Sequence, residues 1–452
     1  MGDEPEARPY LLEPRDRWQG IAAAIARPKS TSDVSAVLKI CSEHRIGVVP
    51  ISGGTGLVGG QTLHEGPLPL LLSLERMNAI RAVLPDDGAI IAEAGCVLAD
   101  IKKAADDVDR LFPLSLASEG TCQIGGNLAT NAGGVQVLRY GNTRDLVLDV
   151  EAVLADGTVI EGTKTLRKNN LGFDLRHLLI GSEGALGIIT AASLKLFPKP
   201  GDMVTGMLAI PGPDQAVAIL HRLKDRLGDE ITGFELIHSC GPEFIRRFHS
   251  DFSDPLPGNP EWRVLFEIIG AKGGGLEALF EQAMAELFDS GLATDGVVAQ
   301  SQAQRDAIWW VRETIPESNR KVGAVASTDI SLPVSKLASF IDQGRKVVEA
   351  IDPSLVINCF GHVGDGNLHY NVFPAKGRSR PDYDNVRPIV KRDIHDLVNS
   401  IGGSVSAEHG VGRLKLDDLE RYGDPGHLAA SRAIKAALDP LGVLNPGAVI
   451  RQ

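Results

Sequence analysis

Apolar residues recur along this chain with two different periods, and the change from one to the other predicts its elements. Ser32–His44 sets Val34, Val37, Leu38 and Cys41 at helical spacing behind a Ser/Asp start. Ile46–Ile51 is a β-branched run, and Leu68–Leu74 has the length of a buried strand. Val147–Leu154 and Val159-Ile160, joined through Asp156-Gly157, read as a hairpin with a tight turn. Phe197–Gly201 breaks the pattern with two prolines. Beyond it come strand Val204–Ile210, helix Pro213–Leu227, strands Ile231–Ile237 and Trp262–Ile269, helix Leu276–Phe288 and strand Val297–Gln300. That β-α-β-β-α-β order predicts a ferredoxin-like antiparallel sheet with helices on one face. Further helices are expected at Gln304–Val311, Val334–Ile351, Asn385–Ile401 and His427–Leu438, which makes the chain α+β.

Three stretches follow neither period and are dense in glycine, of which the chain has 50. Ser52–Gly60 follows a predicted strand and contains Gly54-x-Gly56-x-x-Gly59, the spacing of a dinucleotide fingerprint. The fingerprint needs a helix after its loop, and Pro67 and Pro69 bar one from Gln61–Pro69, so a Rossmann unit is rejected. Ser118–Gly134 and Ile180–Thr190 are expected to be loops of the same kind. Bare N–H groups in such loops can press against a pyrophosphate or a flat polar ligand. Three of them imply one large ligand, and FAD is large and flat enough.

Composition narrows the class. The 452 residues allow two or three domains, and 43% hydrophobic with 23% charged residues is the balance of a globular protein. A net charge of −12 without a basic run excludes a nucleic-acid surface. Five scattered cysteines, none in Cys-x-x-Cys, suit reduced thiols in the cytoplasm and offer no iron–sulfur pattern. Met1–Arg15 lacks the regions of a signal peptide, and no apolar run approaches a membrane span.

Chemistry concentrates in Gly361–Asn371 and Ala407–Gly412, which hold three of the chain's 11 histidines, His362, His369 and His409, together with Glu408. Gly364 and Gly366 argue against a helix, and a strand–turn–strand would bring His362 and His369 together. Two imidazoles and the Glu408 carboxylate suit Zn²⁺ or a similar divalent cation and leave a position open for substrate. His409, beside Glu408, could move a proton. The alternative is that both histidines are ordinary hydrogen-bonded core residues.

Residues from about Ala23 to Pro198 resemble the FAD-binding domain of the vanillyl-alcohol-oxidase and cresol-methylhydroxylase (PCMH) type. The resemblance rests on Pro50-x-Ser52-Gly53-Gly54-Thr55-Gly56, on Ile124-Gly125-Gly126-Asn127 with Asn131-Ala132-Gly133-Gly134, and on Gly181-Ser182-Glu183-Gly184-x-Leu186-Gly187-Ile188. It implies flavin contacts from Pro50, Ser52, Gly53, Gly54, Thr55, Gly56 and Leu57 in the first loop. The second would add Ser118, Gly120, Thr121, Gly125, Gly126, Asn127, Thr130, Asn131, Gly133 and Gly134, and the third Glu183, Gly184, Gly187 and Ile188. Asn445 is expected near the flavin from the C-terminal tail. Some members carry a flavin-linked histidine where Thr55 stands, so the implied FAD is non-covalent.

The second half resembles the C-terminal half of FAD-linked D-2-hydroxy-acid dehydrogenases: D-lactate and D-2-hydroxyglutarate dehydrogenases and the flavin subunit of glycolate oxidase. Gly361-His362-x-Gly364-Asp365-Gly366-Asn367-Leu368-His369, Glu408-His409-Gly410-x-Gly412 and Leu444-Asn445-Pro446-Gly447 carry it. The resemblance implies a zinc-type cation on His362, His369 and Glu408, with His409 as the catalytic base. Arg312 would hold the substrate carboxylate, with Asn371 touching the substrate. Where hydroxyglutarate enzymes carry a threonine and a lysine, this chain has Pro316 and, at a substrate-binding position, Ser327. The distal end of the substrate is left open by that loss. Arg312-Glu313 could instead be a surface ion pair.

The expected arrangement is an FAD-binding domain over residues 1–198, a ferredoxin-like substrate (cap) domain over 199–404 and a segment over 405–452 that returns to the flavin. Expected partners are a 2-hydroxy acid, an electron-transfer flavoprotein or quinone as acceptor, and a second copy in a dimer. The rival readings are an oxidase that uses O₂ and a zinc hydrolase; the latter leaves three glycine loops unexplained.

Overall fold

The computed structural model describes residues 6–451; Met1–Pro5 of the N-terminal stretch and Gln452 lie outside the described residues. The chain forms two compact units. One takes residues up to Gly134, Tyr140–Lys199 and the chain from Glu408 on; the other takes Val135–Arg139 and Pro200–Ala407. No helix among the described residues is long and apolar enough to cross a membrane.

In the first unit, β1 (Ala24–Ala26), β2 (Val48–Ile51) and β3 (Leu70–Ser73) form a parallel sheet in the order β1-β3-β2. The helix Thr31–Glu43 starts where the Ser30 hydroxyl caps the Asp33 amide, and it buries Val34, Leu38 and Cys41. These pack with Val48 and Leu72 into one core, where truncating Leu38 to Ala would cost about 2–5 kcal/mol. The link from β2 to β3 is helix-free, which supports rejecting the Rossmann unit, although the two strands do lie parallel. A long irregular link crosses over here without the usual helix.

An antiparallel sheet follows: β4 (Ile80–Leu84), β5 (Ala89–Glu93), β7 (Val147–Val153), β8 (Val159–Ile160) and β9 (Ile188–Lys195), in the order β4-β5-β9-β7-β8. β6 (Arg110–Leu111) and β10 (Phe197–Pro198) form a small separate pair. The expected β7–β8 hairpin is present. The second glycine-rich stretch is not all loop, because Ile124–Thr130 is a helix. Ile124 and Leu128, four apart, are both buried in the sheet's core, and that anchoring outweighs two glycines. Asn131 ends the helix in the left-handed region, at φ 51°.

The second unit is one antiparallel sheet of seven strands. β11 (Asp202–Ile210), β12 (Ile231–His238), β13 (Trp262–Gly270) and β14 (Asp295–Val298) stand in the order β14-β11-β13-β12, the ferredoxin-like order. β16 (Val356–His362), β17 (Asn367–Phe373) and β15 (Ala326–Ser331) extend it beyond β12. Helices Leu276–Asp289 and Leu337–Ile351 cover one face, with Phe280 on Phe266 and Phe340 on Tyr370.

Contrary to the one-face expectation, the other face is covered too. The helix Gln302–Val322 packs there, with Ile308, Trp309, Val311 and Ile315 against Met207, Ile237, Leu265 and Phe360. It runs well past the expected Val311. Pro316 lies on its exposed side and removes one backbone bond, while buried Ser318 and Asn319 continue the inward stripe as far as Gly323.

Candidate functional site

Strand register gathers the chemistry of the second unit on one face of its sheet. Glu235 pairs with His362, Phe360 with His369, and Asn358 with Asn371. On the far side Asp329 pairs with His369 and Ser327 with Asn371. Cross-strand partners point to the same side, so these side chains form one polar field under the helix that carries Arg312. His362 and His369 stand at the two sides of the β16–β17 hairpin, their ring centroids 6.1 Å apart. The turn closes through Gly366 at φ 81°, where a Cβ would meet the Leu332 carbonyl at 2.0 Å.

Glu235 is the residue that sequence reasoning missed. It is wholly buried in β12 and accepts from Arg312 Nε at 2.6 Å and from His362 Nδ1. Burial pushes its carboxyl up, but the charges and hydrogen bonds of His362 and Arg312 outweigh it and hold the value down at about 2. Arg312 is therefore no surface ion pair, being 6% exposed with its guanidinium 4.8 Å from the Phe360 ring centroid. Among the described residues its terminal nitrogens have no hydrogen-bond partner. Asn371 is buried on β17, whereas Ser327 is exposed on the edge strand β15. Glu408 is bonded to Ala407, whose amide faces the Asp329 carbonyl at 3.4 Å. His409 Nε2 lies 3.4 Å from Glu408 Oε1.

In the first unit the glycine stretches lock onto one another. Ser52 Oγ donates to Gln123 Oε1 at 3.0 Å and accepts from the Gly126 amide at 3.2 Å. A Cβ on Gly53 would sit 2.6 Å from the Thr121 carbonyl, and one on Gly184 (φ 73°) would sit 2.5 Å from Pro50 Cγ. Gly54 and Gly120, by contrast, have nothing within 4 Å of where a Cβ would stand. Asn127 is buried with its Oδ1 lacking a partner among the described residues. Bare backbone together with an orphaned amide oxygen fits a large polar cofactor such as FAD.

Other expected cofactor residues spend their side chains on the protein. Asn131 Oδ1 accepts from the Arg144 amide at 2.9 Å. The Glu183 carboxylate accepts from the Val411 amide at 2.7 Å and the Gly412 amide at 3.0 Å. Asn445 donates to the Glu183 carbonyl at 2.8 Å and accepts from Arg413 at 2.8 Å. Arg413, also missed, binds the carbonyls of Gly59, Gly60 and Pro446, and burial pushes its guanidinium down to about 10. Its place directly after Gly410-x-Gly412 was the available signal.

A family model described as FAD linked oxidases, C-terminal domain, matches residues 199–449, and one described as FAD binding domain matches 22–163. The D-2-hydroxyglutarate dehydrogenase of Bos taurus, a mitochondrial protein by name, is 36% identical over 98% of this chain and 80% of its own. That of Arabidopsis thaliana, also named mitochondrial, is 34% identical over 96% and 76%. That of Stutzerimonas stutzeri is 33% identical over 94% and 90%. Among solved structures, p-cresol methylhydroxylase with substrate bound superposes with a TM-score of 0.77 at 17% identity, covering 98% of this chain and 92% of that one. Alkyldihydroxyacetonephosphate synthase gives 0.71 at 18% identity over 93% and 76%, and both show the same fold. The chain belongs to the FAD-linked D-2-hydroxy-acid dehydrogenases.

Proposed function

We propose that the enzyme oxidises a D-2-hydroxy acid to its 2-oxo acid with a divalent cation on His362, His369 and Glu408, and with Arg312 as the anchor of the substrate carboxylate. The observation that carries this is Arg312: a buried guanidinium, fixed through Nε, whose two terminal nitrogens are ready for a bidentate carboxylate. Two imidazoles and a carboxylate are a suitable donor set for Zn²⁺. Such a cation would supply positive charge that acidifies the substrate hydroxyl. His409 takes the hydroxyl proton as general base, and Asn371 and Ser327 orient the rest of the acid. FAD, when bound, would supply the acceptor for the α-hydrogen as hydride. In this reading it is non-covalent, since Thr55 offers no imidazole, and Pro50–Leu57 with the two later glycine stretches hold it.

The electrons then go to an electron-transfer flavoprotein or a quinone. A dimer and a reducing compartment, the cytoplasm on the sequence reading, complete the proposal; five free cysteines support such a compartment. The names of the Bos and Arabidopsis relatives point to another reducing compartment, the mitochondrion. The test is anaerobic bleaching of the flavin by a panel of D- and L-2-hydroxy acids, before and after chelation. Bleaching by a D-acid that stops on chelation, with FAD retained, is the expected result. Undiminished bleaching of a cation-free enzyme would remove the metal from the mechanism. Rapid reoxidation of the bleached enzyme by air would favour an oxidase.

A further inference from the structure

We infer that Glu235 is a shared positioning residue, one carboxylate that fixes both the cation-binding nitrogen of His362 and the carboxylate-binding fork of Arg312. This rests on the proposed roles of those two residues and deepens them. Glu235 gives one oxygen to each partner, Oε1 to His362 Nδ1 and Oε2 to Arg312 Nε. A carboxylate offers no hydrogen, so Nδ1 must carry the proton, and the lone pair of a neutral His362 then lies on Nε2. The bond to Nε likewise leaves Arg312 to present its two terminal nitrogens together, the edge that grips a carboxylate with parallel bonds.

The two partners come from different elements. Arg312 lies on the helix Gln302–Val322 and His362 at the end of β16, so Glu235 ties helix to hairpin from the strand between. Phe360, two residues before His362 on the same strand, lies beneath the guanidinium and sets its plane. Stability alone does not account for such a trio. Apolar residues of similar volume often serve a buried ionic cluster's site as well or better, because its charges must be desolvated. What the carboxylate adds is orientation, and it orients two functional groups at once.

Zinc ions and oxalate, which carries the carboxylate geometry, test this on the flavin-loaded enzyme without turnover. Zinc retention is read by dialysis against a competing chelator, and oxalate affinity by calorimetry on zinc-depleted enzyme. Glu235→Gln keeps the volume but can accept from only one partner well. It is expected to weaken zinc by about 10–100-fold and oxalate at least about tenfold, with wild-type flavin content. Glu235→Asp keeps the charge and falls one carbon short, so smaller losses in both ligands are expected, and this variant carries the test if the glutamine variant does not fold. Loss of one ligand only, or of neither, overturns the shared role. Failure of the wild type to take up zinc would overturn the cation site itself, a separate outcome.

Discussion

Among the buried carboxylates, Glu183 in the first unit and Glu235 in the second behave oppositely. Glu183 in the first unit is held by the backbone amides of Val411 and Gly412. Burial dominates there and raises its pKa in spite of those bonds and the charges of Arg413 and Lys415. Glu235 in the second unit is buried further, yet His362 and Arg312 reverse the sign. The difference follows what each unit has to hold. The first shapes a cradle from backbone, glycine and neutral dipoles, which suits a cofactor bound by contact. The second places fixed charges on rigid strands and a helix, which suits an ionic substrate and a cation.

The comparison breaks most sharply at Arg312. Arg312→Ala leaves Glu235 buried with one partner instead of two, a change that should cost the second unit about 3–5 kcal/mol in denaturant unfolding. The kcat/KM for the hydroxy acid should fall at least about a hundredfold, for loss of a bidentate charged contact. Flavin content per chain should hold, because none of its proposed contacts is touched; a matching loss of FAD would show that the units are not separable in this way.

The converse lies in the cradle. Gly184→Ala forces a side chain into φ 73° and a Cβ against Pro50 Cγ at 2.5 Å. Overpacking of that kind costs about 1–3 kcal/mol, and the strain falls on a glycine stretch proposed to hold FAD. FAD should be lost on gel filtration while zinc uptake is unchanged. Retained flavin with wild-type reduction would remove Gly184 from the cradle.

How much of this was legible in the sequence depended on range. Helix Pro213–Leu227 and the His362–His369 hairpin were readable because period and turn chemistry are local. Glu235 was not, since it stands as a lone acid in an apolar strand and its partners lie 77 and 127 residues away. Ile124–Thr130 was hidden by its glycines, whose helical cost is offset by core contacts of Ile124 and Leu128. Gln302–Val322 was expected to end at Val311 and instead runs on through Pro316, because a proline on an exposed helix face need not end it. Arg312 was placed by resemblance, and only the register of β12 with β16 explains what orients it.

The smallest effect sharpens the opposition between the two carboxylates through pH. Both start from an ordinary carboxyl value of 4.5. Glu235 is depressed, so its contribution is present above 4.5 and is lost as pH falls toward about 2. Glu183 is raised, so its contribution is full below 4.5 and is lost as pH rises through its folded value. A single proton limits either slope to about 1.4 kcal/mol per pH unit. Glu183→Gln removes the titration while keeping an oxygen for the Val411 and Gly412 amides. Hydrogen exchange of the segment around Val411 and Gly412, followed upward from pH 4.5, should show protection that declines in the wild type and stays flat in the variant, once intrinsic exchange is corrected. Equal slopes in the two proteins would mean that Glu183 titrates normally, and that neutral amides and distant cations stabilise a buried carboxylate as well as direct ion pairs do.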